Sequence, residues 1–410
     1  MTNSINYRHV LASATMLLAI FAPQSKAQPA ARPGFVTTAG THFVLDGQPF
    51  YFQGTNAANF AIMDGRSEAD VYSAMQQYAA HGLRVVRFWG FSCKGAFYGQ
   101  PMIERVDAKG VHYNEDALMR LDATLDAARA AGLKVIMPLV NFEPEYCGIN
   151  WWVKSITGSD DKQQFYKDER VSRVYKRHVA TLLNRVNTRY QSTIGKSIRY
   201  ADDPTFLSIE VMNEPHTQDG YDYSGILVNR YLDDMSTYIR SIDPNHLISS
   251  GEEGYKTTID PKLDSYDHAW ISNGLKGVNF EADIWLKNID FMTTHTYPDN
   301  NDIQSWDMPW VVQNLVHRRA DLAHWAGKPI VMEESGFSND PNFHGSLGYY
   351  SNPSYWLRQL YDAANAADFA GTLIWQVFPS GWKTGGYDYS LDDSVGQVVT
   401  DQARFMNSRR

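Results

Sequence analysis

The feature that most limits how this chain can fold is a repeated alternation between short apolar segments and longer stretches with helical periodicity. Each connection between successive apolar segments is long enough to hold a helix, so neighbouring strands should run parallel. Residues 135–137 and 330–332 are continuously apolar, as expected of parallel strands buried on both faces. The segments that predict strands cover residues 51–56, 84–89, 134–140, 206–213, 247–251, 291–295, 329–334 and 372–377.

The stretches between these strands carry apolar residues at helical spacing. An open doubly wound sheet has the same rhythm, but no glycine-rich phosphate-binding loop follows the first predicted strand. We therefore expect an α/β fold, a closed (β/α)₈ TIM barrel, preceded by a short N-terminal β-hairpin with its turn at Asp46-Gly47. The predicted helices cover residues 67–81, 114–131, 168–190, 227–242, 280–287, 309–325, 353–367 and 394–406.

The N-terminus has the pattern of an export signal. Arg8 precedes an apolar stretch over residues 10–22, and Ala27 ends a short segment suited to cleavage. The apolar stretch is too short to span a bilayer. We expect a signal peptide at residues 1–27 and a single barrel domain at residues 35–410. The protein should then be secreted, either periplasmic or extracellular, and free of the membrane once the signal is removed.

Charge and aromatic content narrow the class of partner. The formal net charge is −9, which argues against nucleic acid and anionic membranes, since both select basic surfaces. The chain has 11 Trp and 24 Tyr, and flat aromatic rings can cover the apolar faces of sugars. The choice between a sugar platform and simple packing stays open for Trp89, Trp151, Trp152, Trp306 and Trp382.

Polar, acidic and aromatic residues gather at the carboxyl ends of the predicted strands, where barrel enzymes place their active sites. Cleaving a glycosidic bond requires one carboxylic acid that protonates the leaving oxygen and one carboxylate that attacks the anomeric carbon. A catalytic metal would favour a His-x-His motif, which the sequence lacks, so we expect no metal and no cofactor. The strand-end residues are Asn56, Arg87, Trp89, Asn141, Asn213, Glu214, Glu252, Glu253, His295, Tyr297, Glu333, Glu334 and Trp375.

Two motifs make this arrangement specific. Residues 208–215 place Glu214 directly after Asn213 at the end of the fourth strand, and residues 328–336 place Glu334 at the end of the seventh. With these motifs the sequence resembles glycoside hydrolase family 5, and most of all its β-mannanase branch, over residues 35–379. Further markers of the resemblance are residues 82–89, 185–188, 202–206, 251–255, 290–291, 294–298 and 371–375.

The resemblance implies roles for these residues. Glu214 would be the acid/base and Glu334 the nucleophile of a double displacement that retains the anomeric configuration. Arg87 and Tyr297 would donate hydrogen bonds to Glu334 and lower its pKa, so that it stays ionised. Asn213 would hold the 2-hydroxyl of the sugar in the −1 subsite. The other substrate-binding side chains would be His295, Trp375, Trp89 and Asn141.

Two residues depart from the pattern of that branch. His216 lies two residues after Glu214, where an arginine is usual, and Ser335 follows the nucleophile, where a bulky aromatic is usual. Both departures leave the chemistry intact but bear on substrate preference and on endo versus exo action. Glu333 is the rival nucleophile, and because adjacent strand residues face opposite sides, we expect only Glu334 to face the mouth.

The resemblance implies a monomeric, endo-acting hydrolase of β-1,4-mannosidic bonds, whose substrate is β-mannan or a related β-1,4-linked polysaccharide or oligosaccharide. Three alternatives stay open. An exo-acting β-mannosidase would fit if residues 146–161 blocked one end of the cleft. An endo-β-1,4-glucanase would use the same scaffold, since glucose and mannose differ only at the 2-hydroxyl. A non-catalytic glycan-binding protein is disfavoured because both glutamates are present.

The two cysteines, Cys93 and Cys147, follow the second and third predicted strands. Those strands are neighbours in a barrel, so both cysteines should lie in loops on the same face. An exported protein also meets oxidising conditions. We expect a disulfide between the two, and two unrelated buried thiols are the alternative.

Overall fold

Parallel strands form the centre of the fold in the computed structural model, which describes residues 32–62, 66–93, 100–145, 147–259, 266–340, 350–382 and 385–409. The strands are β1 (Val36–Ala39), β2 (His42–Leu45), β3 (Gln48–Pro49), β4 (Phe52–Asn56), β5 (Val85–Arg87), β6 (Ile103–Asp107), β7 (Gly110–Tyr113), β8 (Lys134–Pro138), β9 (Phe206–Glu210), β10 (Leu247–Ser249), β11 (Met292–Thr296), β12 (Ile330–Ser335), β13 (Gly371–Ile374), β14 (Val377–Phe378) and β15 (Tyr389–Ser390). The α-helices are α1 (Glu68–Ala80), α2 (Glu115–Ala130), α3 (Ile149–Thr157), α4 (Gln164–Lys167), α5 (Glu169–Leu183), α6 (Tyr190–Ile194), α7 (Ile226–Ile242), α8 (Phe280–Asp283), α9 (Met308–Val311), α10 (Arg318–Trp325), α11 (Pro353–Ala366) and α12 (Ser394–Ser408). Short 3₁₀ turns cover Phe60–Ile62, Tyr200–Asp202, Tyr266–Ile271 and Ser305–Asp307, and a π-helical turn covers Val312–His317.

Eight of these strands form a parallel barrel. Their order is β10-β9-β8-β5-β4-β13-β12-β11. A parallel bridge between Ser249 of β10 and Phe291, the residue before β11, closes the ring. The predicted barrel is therefore confirmed. Its closure brings the carboxyl ends of all eight strands to one face, which is where the chemistry of such a fold is placed.

The predicted N-terminal hairpin is present and covers the opposite end of the barrel. β1, β2 and β3 form an antiparallel sheet. Phe43 and Phe50, from this segment, pack in one buried apolar cluster with Phe52 and Phe291 of the barrel. Phe43 meets Phe291 edge-on, with ring centroids 5.2 Å apart. Apolar side chains therefore seal the amino-terminal end of the barrel.

The next layer of the barrel interior, towards the carboxyl ends of the strands, contains polar side chains. Val85 belongs to the apolar cluster at the amino-terminal end, whereas Arg87, two residues later on β5, is fully buried among carboxylates. The two side chains share a face because the period of a strand is two residues. The barrel interior thus changes from apolar to charged along a single strand.

Three predicted helices differ from the structure, each for a local reason. The helix predicted over residues 280–287 ends with α8 at Asp283, after which the amides of Trp285 and Leu286 donate to carbonyls three residues earlier. The helix predicted over residues 309–325 is divided into α9 and α10 by the π-helical turn. The helix predicted over residues 168–190 ends with α5 at Leu183. Arg185 there turns inward, and its Nη2 donates to Asp122 Oδ2 at 2.7 Å.

The segment suspected of blocking the cleft forms part of the outer layer. Its described residues include α3, whose Trp152 is 1% exposed. The Trp152 ring lies edge-on to Tyr175 of α5, with ring centroids 5.1 Å apart. The side chain of Trp152 is therefore packing and not a sugar platform.

None of the described helices is both long enough and apolar enough to cross a membrane. The predicted signal peptide at residues 1–27 lies outside the described residues.

Cys93 and Cys147 are joined by a disulfide in the structure, with their Cα atoms 5.4 Å apart. Both side chains are buried, at 4% and 1% exposure. The bond links the loop after β5 to the loop after β8, two neighbouring strands on the face that carries the acidic residues.

This disulfide predicts a loss of stability when it is removed. The bond closes a segment of 54 residues, and the loss of that loop constraint costs about 4 kcal/mol in the chain-entropy picture. We expect the free energy of unfolding of a Cys93→Ser/Cys147→Ser double variant to fall by up to that amount in denaturant titration. Reducing agent should destabilise the parent but not the variant. Two free thiols in the unreduced, denatured parent would contradict the bond.

Candidate active site

The carboxyl ends of the barrel strands bring most of the predicted site residues into one cluster. β5 ends at Arg87, β11 contains His295, and Glu334 lies one residue before the end of β12. Asn213 and Glu214 follow β9 in the loop that leads away from it. The other predicted residues at this face are Asn141 after β8, Tyr297 after β11, Trp89 after β5 and Trp375 after β13.

Arg87 is the centre of the hydrogen-bond network. Its Nε and Nη2 donate to the two oxygens of Glu210, at 2.9 and 2.7 Å. Nη1 donates to Asn56 Oδ1 at 3.0 Å and to Glu334 Oε1 at 2.5 Å, and Nη2 also donates to Asn213 Oδ1 at 2.5 Å. Burial opposes the cation, but the surrounding carboxylates raise the pKa of Arg87 well above its usual value. The planar guanidinium therefore fixes four side chains relative to one another.

Glu334 makes the contacts that the sequence implied, but its pKa moves in the opposite direction. Arg87 binds Oε1, and the hydroxyl of Tyr297 donates to Oε2 at 2.7 Å. Burial raises the pKa of Glu334, and the charge of Glu214 raises it further, against the lowering effect of His295 and Arg87. The expectation of a lowered pKa is therefore wrong, because the carboxyl is only 3% exposed and has a second acid beside it.

Glu214 reaches the cleft from a left-handed backbone turn, with φ at 50°. Its backbone N–H donates to Gly251 O at 2.9 Å, which ties the turn to the loop after β10. Its Oε1 lies 2.8 Å from His295 Nδ1. Burial favours the neutral acid, but the imidazolium at this distance outweighs it and lowers the pKa of Glu214. Non-glycine residues rarely adopt such a φ, and they tend to do so at functional sites.

His295 couples the two carboxyl groups. Burial favours its neutral form, but the charges of Glu334 and Glu214 raise the pKa of His295 well above its ordinary value. One ligand atom from each of these three residues lies within 4.8 Å of the other two. Groups this close titrate as a unit, so a proton can pass from one carboxyl to the other without changing the charge of the cluster.

Among the described residues, Glu214, His295 and Glu334 also form a group whose ligand atoms lie close enough together to hold a metal ion. A cation bound there would have to displace the proton of the imidazolium. The cluster is thus better matched to proton transfer than to metal binding.

Glu333 also points into the buried cluster, although alternation along a regular strand would turn it away from Glu334. Met332 pairs with Thr294 and Glu334 pairs with His295, so Glu333 is the extra residue of a β-bulge. Its Oε2 lies 3.7 Å from Arg87 Nε and 3.6 Å from His295 Nε2. Burial opposes ionisation, but these two cations lower the pKa of Glu333. A bulge can re-aim a side chain in this way, and alternation along an unbroken strand cannot foresee it.

Glu210 is a member of the cluster to which sequence reasoning gave no role. It is fully buried at the end of β9 and forms the paired contact with Arg87. Burial, with help from Glu333, raises the pKa of Glu210 well above its usual range. An acidic residue inside an apolar parallel strand is itself a signal, because buried carboxylates require a partner.

Asn213 and Asn141 form a short chain of hydrogen bonds beside the carboxyl groups. Asn213 Nδ2 donates to Asn141 Oδ1 at 2.9 Å, while its own Oδ1 accepts from Arg87. Each asparagine is 5% exposed. Their side chains are therefore held in place before any ligand arrives.

Trp375 and Trp89 form an aromatic wall. Their ring centroids are 5.7 Å apart, and Trp89 stacks against Phe91 at 5.5 Å. The guanidinium of Arg87 lies 4.9 Å from the Trp89 ring centroid. Trp375 is half-buried, whereas Trp89 is 2% exposed. Trp89 thus supports the Trp375 ring from behind, and its own contact with a sugar stays a prediction.

A cleft of about 930 Å³ extends from Glu214 between the loops that follow β8 to β11. Trp306, which is 72% exposed, lies on its wall. Glu253 also lines it and accepts a hydrogen bond from the Tyr255 hydroxyl at 2.7 Å. Burial and the charge of Glu214 raise the pKa of Glu253 to about 8, whereas Glu252 is fully buried and does not line the cleft.

The two departures from the family pattern occupy different places. His216 lines the cleft, where its ring packs against Phe142 and its Nε2 lies 3.4 Å from Glu143 Oε1. Ser335 is fully buried, and its hydroxyl donates to Leu373 O at 2.8 Å and lies 3.4 Å from the Tyr361 hydroxyl of α11. Only His216 can therefore touch a bound ligand in this cleft.

The remaining tryptophan candidates pack against neighbouring side chains. Trp382 is partly buried, with Phe378 at 5.8 Å between ring centroids and the Arg66 guanidinium at 3.9 Å. Trp151 is partly buried and meets Trp152 edge-on at 5.8 Å. Neither lines the cleft beside Glu214.

Comparison with known proteins gives a consistent family. Residues 33–377 match the family described as glycoside hydrolase family 5, β-mannosidase-like. The chain is 31% identical over 387 residues to mannan endo-1,4-beta-mannosidase 1 of Oryza sativa subsp. japonica, covering 90% of this chain and 85% of that protein. It is 30% identical over 398 residues to the probable mannan endo-1,4-beta-mannosidase A of Aspergillus oryzae, covering 93% of this chain and 91% of the relative.

Solved structures share the fold. The endo-1,4-beta-mannanase of Rhizomucor miehei superposes with a TM-score of 0.76 at 27% identity, covering 92% of this chain and 100% of that one. The hyperthermostable endo-1,4-beta-D-mannanase of Thermotoga petrophila has a TM-score of 0.73 at 25% identity, covering 87% and 100%.

The geometry of the cluster predicts the charge of His295. An unperturbed imidazole has a pKa of about 6.5 and is mostly neutral at pH 7.5, but we expect His295 to keep both ring protons there because Glu214 and Glu334 stabilise the imidazolium. Glu214→Gln and Glu334→Gln should each lower its pKa, and Glu169→Gln, at an exposed site on α5, should not. Ring ¹⁵N chemical shifts measure this directly. A neutral His295 at pH 7.5 would show that the cluster holds its proton elsewhere.

Proposed function

The chain belongs to the β-mannosidase-like members of glycoside hydrolase family 5, and on that premise we propose that it cleaves internal β-1,4-mannosidic bonds with retention of configuration. The observation that carries the proposal is the convergence of Glu214 and Glu334, whose nearest oxygens lie no more than 4.8 Å apart. Retaining glycosidases hold their carboxyl groups about 5–5.5 Å apart, whereas inverting enzymes need about 6.5–9.5 Å to admit a water molecule.

In the first step, the carboxylate of Glu334 attacks the anomeric carbon while Glu214 gives its proton to the leaving oxygen. Arg87 and Tyr297 each hold one oxygen of Glu334, which restricts the direction of the attacking lone pair. Burial and the charge of Glu334 raise the pKa of Tyr297, so that its hydroxyl stays a donor. The products of this step are a glycosyl ester of Glu334 and a free alcohol.

The reaction needs the proton on Glu214 and the charge on Glu334, whereas His295 lowers the pKa of Glu214 and burial raises the pKa of Glu334, which favours the opposite distribution. His295 Nδ1 lies 2.8 Å from Glu214 Oε1 and 3.6 Å from Glu334 Oε2. It can therefore pass a proton between them. The two distributions contain the same number of protons, so substrate binding can select the reactive one without exchange with solvent.

In the second step, Glu214 acts as the base that takes a proton from water, and the water displaces Glu334 from the anomeric carbon. Esterification has by then removed the charge of Glu334, and the imidazolium of His295 still faces the Glu214 carboxylate. Asn213 is proposed to hold the sugar 2-hydroxyl, the group that distinguishes mannose from glucose. Trp375 is proposed to stack under the sugar, with Asn141 and Trp89 completing the −1 subsite.

Endo action is supported by the shape of the cleft and by the relatives. The cleft extends beyond Glu214 to the exposed ring of Trp306, which leaves room for sugars on the leaving-group side. The helical part of residues 146–161 packs against α5. The Oryza sativa relative is named a mannan endo-1,4-beta-mannosidase, and the Aspergillus oryzae relative a probable one.

We also propose that the protein is exported after removal of residues 1–27 and acts as a monomer, with residues 35–410 as one catalytic domain. The disulfide between Cys93 and Cys147 supports export, because such bonds persist in oxidising compartments.

Product analysis tests the proposal. We expect a rapid fall in the viscosity of soluble galactomannan, mannobiose and mannotriose from mannohexaose, and new reducing ends that are first β in ¹H NMR. The Glu334→Ala variant serves as the inactive control, and carboxymethylcellulose should be cut at least ~10-fold more slowly, since pocket discrimination between similar substrates is often of that order. Release of mannose alone would favour the exo alternative, preference for carboxymethylcellulose the glucanase, and an initial α-anomer would refute retention.

A further inference from the structure

Two tryptophans are exposed far from the cleft. Trp285 is 55% exposed and Trp325 is 72% exposed, and the rings meet at 84° with centroids 5.0 Å apart. Trp285 lies between α8 and β11, and Trp325 ends α10, shortly before β12. Both precede the amino-terminal ends of barrel strands, whereas the cleft lies at the carboxyl-terminal ends. The pair is therefore on the opposite end of the barrel.

This pair is unusual within the chain itself. The chain has 11 Trp, all of them among the described residues, and the exposed ones are these two and Trp306, which lines the cleft. Exposed aromatic surface is costly in water, so adjacent rings left uncovered mark a surface that binds something. The other exposed tryptophan already lies where a sugar is proposed to bind.

The size of the pair decides between a protein partner and a sugar. Two tryptophan side chains offer on the order of 300–500 Å² even when fully exposed, and a stable protein interface needs roughly 800 Å² from each partner. The pair is too small to hold a second copy of the chain by itself. It is large enough to cover one or two pyranose rings, whose apolar faces stack on indoles.

We propose that Trp285 and Trp325 form a second binding site for β-mannan, on the end of the barrel opposite the cleft. The inference rests on the proposed function, which supplies a long, neutral polysaccharide as ligand. One indole can stack on a sugar face while the perpendicular ring closes the side. Asp321, one turn before Trp325, and Lys287, two residues after Trp285, are also exposed and offer polar groups suited to hydroxyls close to the rings along the chain.

Such a site would hold the enzyme on an insoluble substrate while the cleft cleaves a different polysaccharide chain. Tethering raises the local concentration of cleavable bonds without changing the chemistry. It should therefore matter for insoluble mannan, in which many chains are held together, and not for short oligosaccharides that are free in solution.

The test uses the full chain with Trp285→Ala, Trp325→Ala and the double variant. Phe405→Ala, at an exposed aromatic on α12, is the matched control. We expect the adsorption constant on insoluble mannan, measured in a Glu334→Ala background, to fall about tenfold in the double variant. The rate on insoluble mannan should fall severalfold in the active enzyme, while kcat/KM on mannohexaose and the melting temperature stay as in the parent.

Three outcomes would overturn the inference. Adsorption that is unchanged in the double variant, or lowered as much by Phe405→Ala, would show that the pair does not bind mannan. A parent that sediments as a dimer and becomes monomeric in the double variant would make the pair part of an interface. Failure of the parent to cut mannohexaose would instead count against the proposed function, and the adsorption measurement would still decide the binding site.

Discussion

The guanidinium of Arg87 is the interaction on which the rest of the site depends. It is fully buried. Its N–H groups, which share one plane, donate hydrogen bonds to side-chain oxygens of Glu210, Glu334, Asn213 and Asn56. Removing it would leave Glu210 and Glu334 buried without their cation, a kind of loss that costs about 3–5 kcal/mol. Arg87 lies between two different environments. On the amino-terminal side the barrel interior is apolar and covered by the hairpin, and on the carboxyl-terminal side the cleft opens. Arg87 therefore links a strand of the barrel directly to the carboxyl groups of the site.

Charge balance explains the pattern of pKa values around Arg87. Four carboxyl groups, those of Glu210, Glu214, Glu333 and Glu334, share two cations, Arg87 and His295. With acids in excess and little water, the cluster keeps protons that isolated carboxyl groups would lose. Burial raises the pKa of Glu210 and Glu334, while the cations overcome burial and lower the pKa of Glu214 and Glu333. A retained proton is what an acid catalyst near neutral pH requires, and His295 lies where it can be moved.

The sequence was informative wherever a property depended on local spacing. The eight strands, the side chains at their carboxyl ends and the contacts of Arg87 and Tyr297 with Glu334 follow from strand periodicity and from a recognisable family pattern. The inward direction of Glu333 does not, because it depends on a bulge between β11 and β12. The raised pKa of Glu334 depends on burial and on Glu214, which is distant along the chain. The hydrogen bonds expected from Arg87 and Tyr297 therefore predicted a pKa shift in the wrong direction. The position of Glu210 within an apolar strand indicated a buried, partnered carboxyl, but the family motif directed attention to Asn213 and Glu214 instead.

Azide rescue distinguishes the roles of Glu214 as the acid/base and Glu334 as the nucleophile. Glu214→Ala keeps the nucleophile, so azide should attack the glycosyl ester and give the β-mannosyl azide from an activated aryl mannoside. Glu334→Ala keeps the acid but lacks the nucleophile, so azide should attack the free substrate and give the α-mannosyl azide. NMR of the two products reads the result. We expect the β-azide from Glu214→Ala and the α-azide from Glu334→Ala, and the reverse pair of anomers would show that the two roles are exchanged.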